Sequence, residues 1–199
     1  MLVLGIAGGI ASGKSEVGKL FESLGAARID ADQIGHDVLA DPDVKEALRG
    51  RWGNEILDER GNVVRSKVAP IVFGESEQSR HELKFLESWS HPRIRRVIEQ
   101  KIEELRRQKV IATVLDAALL FETGWNRLCD HVVFADVPLE TRCQRAQRRG
   151  WSRDDLLTRE RSQMPVDEKK VQCDIVIDNS GTLEQTRQQV LKFWRSIVK

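Results

Sequence analysis

Gly8-Gly9-Ile10-Ala11-Ser12-Gly13-Lys14-Ser15 decides the fold of this chain because of what stands on either side of it. Before it, Leu2 to Ala7 is a short apolar run that halts at the paired glycines, the pattern of a buried strand. After it, Val17, Leu20, Phe21 and Leu24 fall at i, i+3, i+4 and i+7, with Gly25 as a stop, the pattern of one amphipathic helix. The loop between them fits GxxxxGK[ST] without exception, and those residue types serve one chemistry. Glycines let successive backbone N–H groups turn inward around phosphate oxygens, and the positive end of the helix adds to them. Lys14 supplies a mobile charge for β- and γ-phosphates, and the Ser15 hydroxyl is placed to ligate Mg²⁺. ATP and Mg²⁺ are therefore the expected cofactors.

Working outward, the alternation continues. Arg28-Ile29-Asp30 is a second short strand, and Asp41-Pro42 offers an N-cap and first-turn proline for a helix through Val44, Ala47 and Leu48. Asp58 to Asn62 is a turn; helical spacing returns at Val68, Ile71 and Val72, then at Leu83, Leu86 and Trp89. His91-Pro92 is expected to open a longer helix carrying Ile94, Val97, Ile98, Ile102 and Leu105. Val110–Leu115, His131–Ala135 and Asp174–Ile177 are further buried strands. Helices are expected after Pro138, around Leu156, and after the capping residue Thr182. Strands joined by helical crossovers argue an α/β fold with a parallel central sheet covered on both faces. The expected division is a core of 1–31, 110–138 and 166–199, a mostly helical insertion over 32–109, and a lid over 139–165.

Composition limits the partners. The 199 residues hold 32 Lys+Arg against 31 Asp+Glu, a formal charge of +1, which argues against a dedicated nucleic-acid binder. With 40% hydrophobic and 32% charged residues the class is soluble and globular. No apolar run approaches the roughly 18 residues of a membrane span. Cys129, Cys143 and Cys173 have no CxxC spacing, so neither a disulfide framework nor a zinc site is expected. The apolar start has no basic flank or small-residue cleavage site, and a cytoplasmic location is expected.

A phosphate loop alone admits kinases, GTPases and motor or transport ATPases. No asparagine precedes a lysine, so the Asn-Lys-x-Asp of GTPases is missing, and a ring ATPase would need more chain. A small-molecule kinase remains, beside a non-catalytic ATP-dependent switch. Asp30 and Asp32 close the second strand; one is expected to reach the site as base or Mg²⁺ partner and the other to hold structure, a helix N-cap being the alternative for each. Asp116 follows an apolar run where a metal-organising acid can sit, though a turn aspartate fits equally, and Glu122 lies six residues on. Arg142, Arg145 and Arg149, spaced i, i+3 and i+7, belong to an arginine-rich segment suited to folding over transferring phosphates. His36 and His91 are weaker candidates for an acceptor pocket, and the five tryptophans are read mostly as packing.

In order along the chain, the phosphate loop, Ile29-Asp30-Ala31-Asp32 with His36, Trp52-Gly53, Leu86-Glu87 with His91-Pro92, Leu119-Leu120-Phe121-Glu122, the arginine segment with Gln163, and Val176 to Gly181 resemble the dephospho-CoA kinases. The resemblance runs almost end to end. It implies a three-layer P-loop kinase fold with a helical acceptor-binding insertion and an arginine-rich lid. It implies ATP-dependent phosphorylation of the ribose 3′-hydroxyl of dephospho-CoA, the last step of CoA biosynthesis, with another nucleoside or nucleotide kinase as the nearest rival. By resemblance Asp32 is the base, Lys14, Arg145 and Arg149 act on the phosphates, and Gly8 to Glu16 with Asn179 and Gly181 bind nucleotide. Asp32, His36, His91, Leu119 and Glu122 face the acceptor, and Ser15 takes the metal. The partner is the small-molecule acceptor, with no nucleic acid or membrane, and the state a monomer or small homo-oligomer. Two departures stand in the loop. Ala11 replaces a usual glycine, at little cost if its φ is negative. Glu16 replaces a usual threonine and sets a carboxylate on the first helical turn, good for the helix dipole but close to bound phosphate.

Overall fold

In a computed structural model that describes residues 1–74 and 76–198, β1 (Leu2–Ala7) is the central strand of a five-stranded parallel sheet. The order is β2-β3-β1-β4-β5, with β2 at Ala27–Asp30, β3 at Ala112–Asp116, β4 at His131–Asp136 and β5 at Ile175–Asp178. Val3, Leu4 and Ile6 of β1 and Val114, Leu115 and Val133 of its neighbours are wholly buried. That explains why these strands are continuous apolar runs rather than alternating ones. Each such side chain contributes about 1.5–3 kcal/mol by leaving water.

Two helices share this core. α1 (Lys14–Ser23) turns Val17 and Phe21 inward, and α9 (Leu183–Ile197) meets it with Val190 and Trp194, the Phe21 and Trp194 rings 6.1 Å apart. Gly25, at φ 100, ends α1 as its position suggested. Thr182 and Gln185 form a reciprocal capping box at the start of α9. The remaining helices of this part are α6 (Leu139–Gln147), α7 (Arg153–Arg161) and α8 (Val166–Val171). α6 and α7 enclose a smaller core of Ala11, Cys143, Ala146 and Leu156.

The chain divides into two compact units, 1–30 with 101–199, and 31–100. The second holds α2 (Ala31–Val38), α3 (Pro42–Trp52), α4 (Arg65–Val72) and most of α5 (Glu77–Arg107). Asp41 caps α3 by accepting from the N–H groups of Asp43 and Val44, with Pro42 in the first turn. Ile34, Val44, Leu48, Ile56, Val68, Ile94 and Ile98 are among its buried residues. Glu82 is buried with them, held by both ends of the Arg51 guanidinium at 2.9 Å, by the Trp52 indole N–H at 2.9 Å, and by Gln78. The Arg51 and Trp52 hydrogen bonds push its carboxyl down to about 2.

One expectation fails here. No helix opens at His91-Pro92; α5 runs unbroken through Pro92. A proline inside a helix removes one backbone hydrogen bond and crowds the preceding turn, at about 3 kcal/mol. The buried face that continues beyond it, Ile94, Ile98 and Ile102, outweighs that cost. Side chains also serve the carbonyls of the disturbed turns: Arg93 Nη1 donates to Trp89 C=O at 3.1 Å and Ser90 Oγ to Leu86 C=O at 2.8 Å.

Candidate active site

The phosphate loop leaves the C-terminal end of β1 and enters α1 through Gly13, whose φ of 84 and ψ of 28 are left-handed. Ser12 N–H closes the loop on Gly9 C=O at 3.2 Å, and Gly13 C=O accepts from Glu16 and Val17 at the helix start. Lys14 Nζ donates to Gly8 C=O and Gly9 C=O, both at 3.1 Å, so its ammonium lies within the loop. Ser15 is exposed on the first turn with Glu16 beside it. The Ser12 hydroxyl is buried and has no hydrogen-bond partner among the described residues, a polar atom suited to a phosphate oxygen.

At Ala11 φ is 60, left-handed, so the condition under which alanine costs little there is not met. For a residue with a Cβ this costs about 1–2 kcal/mol. The methyl is buried among Cys143, Ala146 and Leu156, which offsets about 0.8 kcal/mol of it.

Arginines of α6 hold this loop from outside. Arg145 donates to Ser12 C=O at 3.2 Å and to Asn179 C=O at 2.7 Å. Asn179, buried, adds its own Nδ2 to Ser12 C=O at 2.8 Å and accepts from Thr186 Oγ1 at 3.0 Å. Arg142 is not on a solvent-facing lid surface. It is buried, ion-paired with Glu160 of α7, and its Nη1 donates to Ile10 C=O at 3.2 Å while Glu160 Oε1 accepts from Ile10 N–H at 2.9 Å. Arg149 does not share their helical face either: α6 ends at Gln147, and Arg149 sits exposed in the following turn. Gly181 is exposed beside Ser180, whose hydroxyl and N–H hold the Asp178 carboxyl below its usual range.

On the sheet rim, Asp116 is buried and paired with Arg28 at 2.7 Å, and Arg28 also reaches Asp30 at 3.3 Å. Asp30 and Asp116 are register partners across β2 and β3, so one guanidinium neutralises two acids that would otherwise repel. Leu119 follows in the turn after β3. Glu122 is bound to the buried Lys169 of α8 at 2.8 Å and accepts from Met164 N–H at 2.8 Å.

In the second unit Asp32 lies in the first turn of α2, since the strand stops at Asp30, and so it is not a strand residue. His36 is one turn further along the same helix, and the Arg65 guanidinium meets its Nε2. Arginine can only donate, so in that contact the imidazole Nε2 is the acceptor. His91 is half-buried on α5, and burial pulls its imidazole below the usual range while Glu87 opposes. Arg28, Arg65, Glu160 and Lys169 have no local motif that marks them; each is visible only once distant segments meet.

A parallel sheet whose central strand feeds GxxxxGK[ST] and then a helix, with arginines of a neighbouring helix pair on the loop, defines the P-loop kinases. A family model described as dephospho-CoA kinase matches residues 2–185. A dephospho-CoA kinase of Carboxydothermus hydrogenoformans is 42% identical over 192 residues, 95% of this chain and 91% of that one. That of Halalkalibacterium halodurans is 37% identical over 202 residues, 98% of each. Among solved structures, TT1252 from Thermus thermophilus gives a TM-score of 0.84 at 32% identity, covering 100% of this chain and 98% of that one. The dephospho-CoA kinase from Campylobacter jejuni gives 0.71 at 25% identity over 98% and 96%. The chain belongs to the dephospho-CoA kinase family.

Proposed function

We propose that the chain transfers the γ-phosphoryl group of ATP to the ribose 3′-hydroxyl of dephospho-CoA, giving CoA and ADP, in the cytoplasm. Family membership across residues 2–185 carries this reading, and the loop geometry supports it. Left-handed Ala11 and Gly13 turn backbone N–H groups into an anion-binding concavity, and the buried Ser12 hydroxyl and Lys14 ammonium lie in the same loop. The Ser15 hydroxyl would hold Mg²⁺, which neutralises charge on the β- and γ-phosphates. Asp32 accepts the proton of the attacking hydroxyl, and the acceptor is received by the segment that carries His36 and His91. Arg145 and Arg149 bear on the transferring group, with Asn179 and Gly181 beside the nucleotide.

Phosphate transfer to a panel of acceptors, including dephospho-CoA, adenosine and nucleoside monophosphates, tests the substrate. Asp32→Asn is expected to lower transfer to dephospho-CoA about 10²–10⁴-fold, the usual worth of a positioned base, with ATP affinity nearly unchanged. Full activity in that variant would remove Asp32 from the mechanism. ATP binding with transfer to no acceptor would make the chain a switch instead.

A further inference from the structure

Arg142 and Glu160 meet both backbone groups of one loop residue, and we infer that they are positioning residues that orient two successive peptide units of the phosphate loop. Through those units they place the Lys14 ammonium and the Ala11 N–H. The described peptides are all trans, so a carbonyl and the N–H bonded to it point in opposite directions. Glu160 Oε1 holds Ile10 N–H at 2.9 Å, which turns Gly9 C=O of the same peptide the other way, where Lys14 Nζ reaches it at 3.1 Å. Arg142 Nη1 holds Ile10 C=O at 3.2 Å, which turns Ala11 N–H away from α6.

The grip is stiff. The two side chains are 6% and 14% exposed, and Arg142 Nε is fixed in turn to Val137 C=O at 3.3 Å. A Cβ on Gly9 would stand 2.7 Å from Arg142 Nη1 and 2.9 Å from Glu160 Oε1, so any side chain there would push the pair aside. A tether between α6 and α7 would need only opposite charges. Here the polarity is specified as well: the acceptor meets the N–H and the donor meets the carbonyl. The inference rests on the reading that this loop binds ATP phosphates.

Titration calorimetry with ATP on the full chain tests it. Glu160→Gln keeps an oxygen within reach of Ile10 N–H but loses the charge. Glu160→Asp keeps the charge but withdraws the oxygen by one methylene. The glutamine variant is expected to stay within about threefold of the parent Kd and the aspartate variant to weaken about tenfold, the worth of one charge-assisted hydrogen bond. KM for dephospho-CoA should move in neither. The exchange of both residues, Arg142→Glu with Glu160→Arg, restores a pair of reversed polarity and is expected not to restore ATP affinity. Parent-like affinity in Glu160→Asp with loss in Glu160→Gln, or recovery in the exchanged pair, would overturn the inference in favour of a tether. If the exchanged pair does not fold, the order of the two single variants decides. A parent chain that binds no ATP would overturn the functional reading, and this one with it.

Discussion

Asn179→Ala removes two hydrogen bonds at once, Nδ2 to Ser12 C=O at 2.8 Å and Thr186 Oγ1 to Oδ1 at 3.0 Å. Neither partner is wholly abandoned. Ser12 C=O keeps Arg145 at 3.2 Å, whereas the buried Thr186 hydroxyl keeps only Thr182 C=O at 3.4 Å and Asp178 C=O at 3.5 Å. Each lost bond is worth about 1 kcal/mol and the hole left by the amide about 1 kcal/mol more, so roughly 3 kcal/mol should be lost. In a chain of this size that lowers the thermal midpoint by about 6–12 °C. Scanning calorimetry with urea unfolding measures it, and Thr186→Val completes a double-mutant cycle with an expected coupling of about 1 kcal/mol. A midpoint within about 2 °C of the parent, or strictly additive effects, would refute the claim that Asn179 joins the loop to α9.

Three further outcomes are expected. Ala11→Gly relieves the left-handed strain but loses a buried methyl and makes the unfolded chain freer, so urea unfolding should show a change within about 1 kcal/mol, whereas Ala11→Val should lose more than about 2 kcal/mol. Pro92→Ala restores an N–H to Ser88 C=O within α5 and should raise stability by about 1–2 kcal/mol in the same assay; a loss would mean that the proline sets a needed bend. Glu82 titrates at about 2 when folded against 4.5 when free, so its stabilisation is complete above pH 4.5 and is lost as pH falls toward 2. Unfolding curves of Glu82→Gln across that window should be flatter than the parent's, and an unchanged slope would remove Glu82 from the acid response.

The phosphate loop was legible because its signal is local: eight consecutive residues between a strand and a helix. The backbone sign at Ala11 was not, since the residues that pack on its methyl, Cys143, Ala146 and Leu156, lie more than 100 residues away in the chain. Spacing put Arg142, Arg145 and Arg149 on one face, but a periodicity holds only while its helix lasts, and α6 stops at Gln147. Both reach loop carbonyls, and what separates Arg142 from Arg145 is the buried ion pair that Arg142 makes with a glutamate 18 residues away. Asp116 fitted a metal-organising acid and a turn aspartate equally, and its pairing with Arg28 was hidden because that partner lies 88 residues earlier. Asp32 was read one element too early, the strand giving way to α2 at Ala31. His91-Pro92 signalled a helix start by a rule about isolated segments, which the buried face beyond it overrides.

The central place of β1 has a consequence for synthesis. Its partners are Ala112–Asp116 on one side and His131–Phe134 on the other, so β1 is made about 100 residues or more ahead of either strand that pairs with it. At roughly 5–20 residues per second, about 6–26 s pass between its emergence and that of β4. Until β3 is made, Leu2 to Ala7 is an apolar, β-prone segment with both hydrogen-bonding edges open, and until β4 is made one edge stays open, while residues 31–100 can close a core of their own. The nascent chain is thus most exposed to aggregation and most dependent on chaperones before Phe134 leaves the ribosome, and a slower ribosome should lower its soluble yield.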